Sequence, residues 1–230
     1  MVFYSLEKLS LVDFDGYISA TIFTGGCNFK CGYCHNSLLV LSHTTLSTLS
    51  EESVLDYLKK RFGILEGLCI TGGEPTLHAT LPQFIAKVKN IGYKVKLDTN
   101  GTNPNMLKSL FNDNLIDYVA MDIKNCKEDY ASVIGLNSFD TKNVEKSVEF
   151  LLSNQYDYEF RTTLIKEFHT EHNIDLIGQW IKGAKRYFLQ KFKNSESCIE
   201  SHFSTLDENI AKKYVEILKP YIPNTQLRGY

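Results

Sequence analysis

Three cysteines, Cys27, Cys31 and Cys34, fall within eight residues of a 230-residue chain, in the run TGGCNFKCGYCHN. Three thiolates on one short loop are a metal-ligand set of a particular kind. A structural zinc closes its shell with four ligands. His35 follows Cys34 directly and could serve in principle, but no second CxxC and no spaced histidine pair occurs downstream. A four-iron cluster can instead take three cysteines and leave one iron open to a small ligand, much as catalytic metal sites keep an open position. Cys69, Cys126 and Cys198 stand singly. Six cysteines in a reducing compartment are not a disulfide framework, and Cys69 and Cys126 read as small core or surface residues. Cys198 lies in a polar loop, and His169, His172 and His202 lack a common spacing and read as surface residues.

Other unusual polar residues recur in short motifs: TGGEPT with Gly72, Gly73 and Glu74, DTNG with Asp98 and Asn100, MDIKN with Asp122 and Lys124, FRTT with Arg161, and FLQKF with Gln190. Each sits where a β-rich run ends or passes. The runs are YISATIFT from Tyr17, GLCIT from Gly67, KVKLDT from Lys94, IDYVAMDI from Ile116, DYEFRTTL from Asp157 and RYFLQ from Arg186. Helical patterns separate them: SEESVLDYLKKRF from Ser50, 81–91, NPNMLKSLF from Asn103, 142–152 and 171–181, with a last helix at roughly 206–218. Strands alternating with helices imply right-handed crossovers and a mainly parallel sheet, doubly wound or curled into a full or partial barrel. In either topology ligands gather at the carboxyl ends of the strands, so the motifs all fall on one rim.

The composition excludes several classes. With 43% hydrophobic and 23% charged residues the chain is globular, and a formal charge of −2 provides no broad positive field for nucleic acid or anionic membrane. The amino terminus lacks the pattern of a secretory signal, and no apolar run approaches a transmembrane span, which points to the cytoplasm. No linker or repeat divides the chain, so one domain is expected over 1–230, with a core at about 17–192 and an extension at 193–230.

CxxxCxxC with an aromatic residue, Tyr33, before its last cysteine resembles the radical S-adenosylmethionine (SAM) enzymes. More narrowly, CNFKCGYCHN, TGGEPT, KLDTNG, DYVAMDIKN and FRTT, in this order, are similar to the activating enzymes of glycyl-radical proteins, in particular that of anaerobic ribonucleoside-triphosphate reductase. The resemblance implies a partial (β/α)6 barrel and one [4Fe–4S] cluster on Cys27, Cys31 and Cys34, with SAM on the open iron. It implies SAM contacts from Tyr33, His35, Gly72, Gly73, Glu74, Asp98, Asn100, Asp122, Lys124, Arg161 and Gln190, with no catalytic residue beyond these. Gln190 stands where related formate-lyase activases carry a His, a departure from their pattern. An electron from a donor such as flavodoxin or ferredoxin would cleave SAM to methionine and a 5′-deoxyadenosyl radical, which would abstract hydrogen from a glycine of the partner enzyme.

Two other readings use the same motifs. One is a small-molecule radical SAM enzyme, such as one like 7-carboxy-7-deazaguanine synthase, which would need an enclosed pocket. The other is a noncatalytic metal-binding protein using the loop as a knuckle. The terminal Arg228-Gly229-Tyr230 is too short for the RxxGY segment that carries a glycyl radical and reads as a closing edge strand.

Overall fold

The computed structural model describes residues 1–153 and 155–230. They form two compact units: Met1–Asn28 with Leu38–Ala120, and Phe29–Ser37 with Met121–Tyr230.

The first unit holds strands β1 (Val2–Phe3), β2 (Ser5–Ser10), β3 (Ser19–Thr24), β4 (Leu49–Ser50), β5 (Gly67–Gly72) and β6 (Lys94–Thr99), and most of β7 (Tyr118–Asp122). Its helices are α1 (Ser37–Leu41, whose first residue belongs to the second unit), α2 (Glu51–Arg61), α3 (Leu81–Ile91) and α4 (Pro104–Asn112). The sheet order is β2-β3-β5-β6-β7, with β2 antiparallel to β3, and β3, β5 and β6 parallel. The second unit holds the end of β7 and β8 (Tyr158–Leu164), β9 (Tyr187–Lys191) and β10 (Thr225–Arg228), in that order, with β8, β9 and β10 parallel. Its helices are α5 (Tyr130–Val133), α6 (Lys142–Leu152), α7 (Glu171–Trp180) and α8 (Glu208–Leu218). The fold is thus α/β with a mostly parallel sheet, as expected. Strand β2 is an edge in the first unit and β10 an edge in the second. Among the described residues no helix is long and apolar enough to cross a membrane.

The register explains why the rim is polar. Side chains alternate across a strand, and the pairings Ala20↔Leu68↔Val95 and Ile22↔Ile70↔Leu97 stack apolar residues on one face. All six are fully buried. The opposite face carries Thr21↔Cys69↔Lys96, and two residues on from Lys96 stands Asp98. In the second unit Phe160, Thr162 and Leu164 are buried on one face, leaving Glu159, Arg161 and Thr163 to the other. One face of each unit therefore builds core while the other carries chemistry.

Helix starts follow the capping chemistry. Ser50 accepts the Ser53 N–H ahead of α2, whose first turn is acidic and last turn basic, matching the helix dipole. Asn103 caps α4, with Pro104 at its first position. The last helix starts at Glu208 and not at 206, because Asp207 takes the cap by accepting the Asn209 N–H. Three short strands, β1, β2 and β4, were not expected. Most of β2 is exposed, so its alternation is weak, and β1 and β4 are two-residue partners of each other. The expected closing edge strand is β10.

Candidate functional site

In the first unit the residues around Cys27 are fastened by two glycine-dependent contacts. The Gly73 N–H donates to the Thr24 carbonyl at 2.9 Å and the Glu74 N–H to the Gly26 carbonyl at 2.8 Å. Gly72 has φ of +117°, and a Cβ on Gly73 would lie 1.9 Å from the Gly26 oxygen. These glycines let one backbone lie directly on another. The room expected for a ligand beside Gly73 is taken by Gly26, and an ammonium at this turn must call on carbonyl oxygens. Gly73→Ala is expected to lower stability by about 1–3 kcal/mol, a fall in Tm of several degrees, because the methyl meets backbone and not a movable side chain. A melting curve within 1 °C of wild type would disprove this packing.

Glu74 is 1% exposed and does not face solvent. One carboxylate oxygen accepts from the Thr76 N–H, Thr76 Oγ1 and Thr99 Oγ1 at 3.0, 2.5 and 2.7 Å; the other accepts from the Asn100 N–H at 2.7 Å. Burial pushes its pKa up and these four donors oppose the shift. The sequence resemblance implies a SAM contact for Glu74; in the structure its carboxylate braces TGGEPT against DTNG. Asn100 Nδ2 reaches Asn28 Oδ1 at 2.9 Å and lies 4.0 Å from Cys27 Sγ. Asp98 pairs with Lys96 at 2.6 Å, and Lys96 Nζ lies 3.8 Å from Cys69 Sγ. The buried lysine was missed, although its K-x-D spacing on a strand places both charges on one face.

In the second unit Cys31 is buried and Cys34 half-buried. The Cys34 N–H donates to the Cys31 carbonyl, Lys30 N–H to Ile134 and Glu200 N–H to Gly32, at 2.9, 2.9 and 2.8 Å. Tyr33 is 5% exposed, its ring 6.2 to 6.4 Å from those of Phe168, Phe192 and Phe203. The aromatic residue of the motif therefore anchors the loop in an apolar nest. His35 is exposed, with Nε2 2.6 Å from the Lys193 carbonyl.

Asp122 at the end of β7, Lys124 just past it and Arg161 of β8 come together. Asp122 Oδ1 accepts from Arg161 Nε at 2.9 Å, and Oδ2 from Lys124 Nζ at 3.0 Å. Burial works to raise the Asp122 pKa, but the two cations outweigh it and hold the carboxyl at about 2. For Lys124 burial is likewise the largest influence and lowers the pKa, yet Asp122 prevails and the ammonium is held well above its usual range. Two fixed cations on one carboxylate leave a net positive cluster, suited to a second anion. Half-buried Gln190 is in register with Thr163 and with Arg228, whose guanidinium grips both oxygens of buried Glu159 at 2.9 and 3.1 Å.

His169 corrects the sequence reading of it as a surface residue. It is 1% exposed, whereas His172 and His202 are exposed. The only sequence signal was its place two residues before the α7 helix.

The donor set suits an iron–sulfur cluster. None of the three motif cysteines is in a disulfide. Burial is the chief influence on Cys31 and Cys34 and pushes both thiols up, while the Lys124 ammonium acts to lower them. A thiol reluctant to ionise in apolar surroundings is a good ligand once a cation replaces its proton. Among the described residues no three His, Cys, Asp or Glu side chains are grouped at metal-ligating separations.

Residues 21–177 match the radical SAM superfamily. Over 231 residues the chain is 33% identical to a Methanocaldococcus jannaschii protein provisionally named a glycyl-radical enzyme activating enzyme, covering 97% of this chain and 94% of the relative. Among solved structures it is similar to a domain of a pyruvate-formate lyase-activating enzyme from Bacteroides vulgatus, with TM-score 0.58 and 17% identity over 71% of this chain and 99% of that one. Streptococcus suis SuiB bound to S-adenosylmethionine gives a TM-score of 0.71 at 13% identity, over 90% of this chain and 49% of that one. At these identities the two structures speak for the fold alone. The superfamily match spans most of the chain and includes the three-cysteine loop and the TGGEPT and MDIKN motifs, and the chain belongs to the radical SAM superfamily, whose members work with a [4Fe–4S] cluster and SAM.

Proposed function

We propose that this protein activates a glycyl-radical enzyme, and that the partner is anaerobic ribonucleoside-triphosphate reductase. The observation that carries the reading is the likeness, end to end in both chains, to the relative named for such activation. In this reading Cys27, Cys31 and Cys34 hold the cluster. Lys124 meets the SAM carboxylate, with Asp122 fixing its ammonium and Arg161 holding Asp122 in turn, and Gly72 and Gly73 serve the SAM amino group. Asp98, Asn100 and Gln190 are assigned to the rest of SAM. When bound, the cluster and SAM supply one-electron cleavage of the sulfonium and the carbon radical that takes a hydrogen atom. The protein's own work is to orient SAM and keep water and oxygen away. The whole chain acts as one radical SAM domain in the cytoplasm, reduced by a donor of the flavodoxin or ferredoxin type.

A protein substrate is favoured over a small molecule by where the C-terminal residues go. Strand β10 is built into the sheet, Tyr214 of α8 donates to the His169 carbonyl at 2.6 Å, and Glu200 is fastened to Gly32. These segments are committed to the fold of the second unit, and a segment so fastened is poorly placed to close over a small substrate.

The test mixes reduced protein, SAM and the anaerobic ribonucleotide reductase of the same organism and records the electron paramagnetic resonance spectrum. The expected result is a glycyl doublet, with one methionine and one 5′-deoxyadenosine formed per radical. No radical on any glycyl-radical protein of that organism, beside rapid turnover of a small molecule, would overturn the proposal.

A further inference from the structure

We propose that His169 is a positioning residue for Lys124, holding the Lys124 carbonyl through its Nε2–H and thereby setting where the lysine ammonium stands. The inference rests on the assignment of Lys124 to the SAM carboxylate.

Lys124 lies two residues past the end of β7, where the sheet no longer dictates its backbone. A peptide group so placed and half-buried must find side-chain partners. It finds one on each side. The Lys124 N–H points to Tyr130 Oη at 3.4 Å, and the Lys124 carbonyl lies 3.0 Å from His169 Nε2. The tautomer follows from the other ring nitrogen. The Ile165 N–H, which can only donate, points at His169 Nδ1 at 2.9 Å, so Nδ1 carries no proton and the neutral ring has its hydrogen on Nε2. The opposite tautomer would satisfy only the 3.2 Å approach of Nδ1 to the Ile165 carbonyl and would forfeit both other bonds. Burial lowers the His169 pKa, in keeping with the neutral ring.

The histidine is itself anchored. Its N–H donates to the Ile165 carbonyl at 3.0 Å, its carbonyl accepts from Tyr214 Oη, and the neighbouring Phe168 carbonyl accepts from Asn125 Nδ2 at 3.2 Å. At 1% exposure it is too enclosed to serve as a direct ligand. It joins the segment after β8 to the residue that completes the Asp122–Lys124–Arg161 cluster. A change at His169 should therefore be felt in SAM affinity and not in cluster content.

Two amides separate the two ring nitrogens. Glutamine can place an N–H near the Nε2 position and keep the bond to Lys124, whereas asparagine can place an oxygen near Nδ1 and keep only the bond from Ile165. The experiment compares His169→Gln, His169→Asn and Lys124→Ala in cluster-reconstituted protein, measuring iron content, thermal melting, SAM binding by calorimetry, and hydrogen exchange over 123–126. The expected result is near wild-type SAM affinity in H169Q and about tenfold weaker binding in H169N, with faster local exchange, equal iron and similar melting temperatures. Equal SAM affinities in the two variants, or losses that follow melting temperature in both, would overturn the proposal while a weakened Lys124→Ala upheld the SAM assignment. Unchanged binding in Lys124→Ala would overturn the assignment and the proposal together.

Discussion

Cys31→Ala protein, reconstituted without oxygen from iron and sulfide, is expected to lose most of its iron, its visible absorption and all SAM cleavage. A site with three protein ligands has none to spare: removing one thiolate leaves two irons open and the cluster held at two corners. Cys31 is the most enclosed of the three, and burial alone could be blamed for a loss at that position. Cys69 provides the control, since it is as deeply buried, in the middle of β5, and lies beside Lys96 and not in the loop. Cys69→Ala should lose a little stability and keep its iron, as should Cys126→Ala and Cys198→Ala. Iron per chain, absorbance and the yields of methionine and 5′-deoxyadenosine measure the effect, and Cys27→Ala and Cys34→Ala should match Cys31→Ala. Normal iron and SAM cleavage in Cys31→Ala would remove it from the ligand set.

The parts of the fold that could be read in advance are those where one physical cause dominates. Strand β6 and helices α3 and α6 have the bounds that their patterns predict, because two-residue and helical periodicities there are set by full burial on one side. Strands β1, β2 and β4 escaped because little of them is buried, so no strong alternation is imposed on their residues. The same contrast runs through the site. Asp122 and Lys124 are two residues apart and turn to the same side although Lys124 lies past the end of β7, and Arg161 of β8 reaches Asp122. What Glu74 and Tyr33 do was not legible. A carboxylate in a turn and an aromatic ring in a cysteine loop look available for a ligand, and only tertiary structure shows four donors closing on the one and three phenylalanines on the other. His169 was hidden for the same reason: its partners are the backbones of Ile165 and Lys124, which carry no sequence signature.

Lys124→Ala and Asp122→Ala are expected to fail in different ways, although the two side chains touch. Without Lys124 the Arg161–Asp122 pair at 2.9 Å survives, so the fold loses little. The cluster's net charge falls by one, and the SAM carboxylate loses a charge-assisted bond of about 1.5–3 kcal/mol, ten- to a hundredfold in affinity. Without Asp122 two half-buried cations lose the carboxylate that both bind, which strikes stability first and SAM binding second, as both side chains lose a group that orients them. The size follows from its pKa of about 2 against the ordinary 3.8, a difference worth roughly 2 kcal/mol. The sign follows too. A carboxyl whose folded pKa is depressed stabilises the fold above its unfolded pKa and loses that contribution as pH falls through the folded value. Wild-type protein should therefore lose this share of its stability between about pH 4 and pH 2, while Asp122→Ala has already lost it at pH 6. Urea unfolding at pH 6 and pH 3 should show the gap between the two proteins narrowing with acid, and calorimetry at neutral pH should show Lys124→Ala binding SAM less tightly than Asp122→Ala does. If both variants bind SAM as wild type does, the three residues are only a brace for the strand ends; if the stability gap is the same at both pH values, Asp122 is not the ionised centre of the cluster.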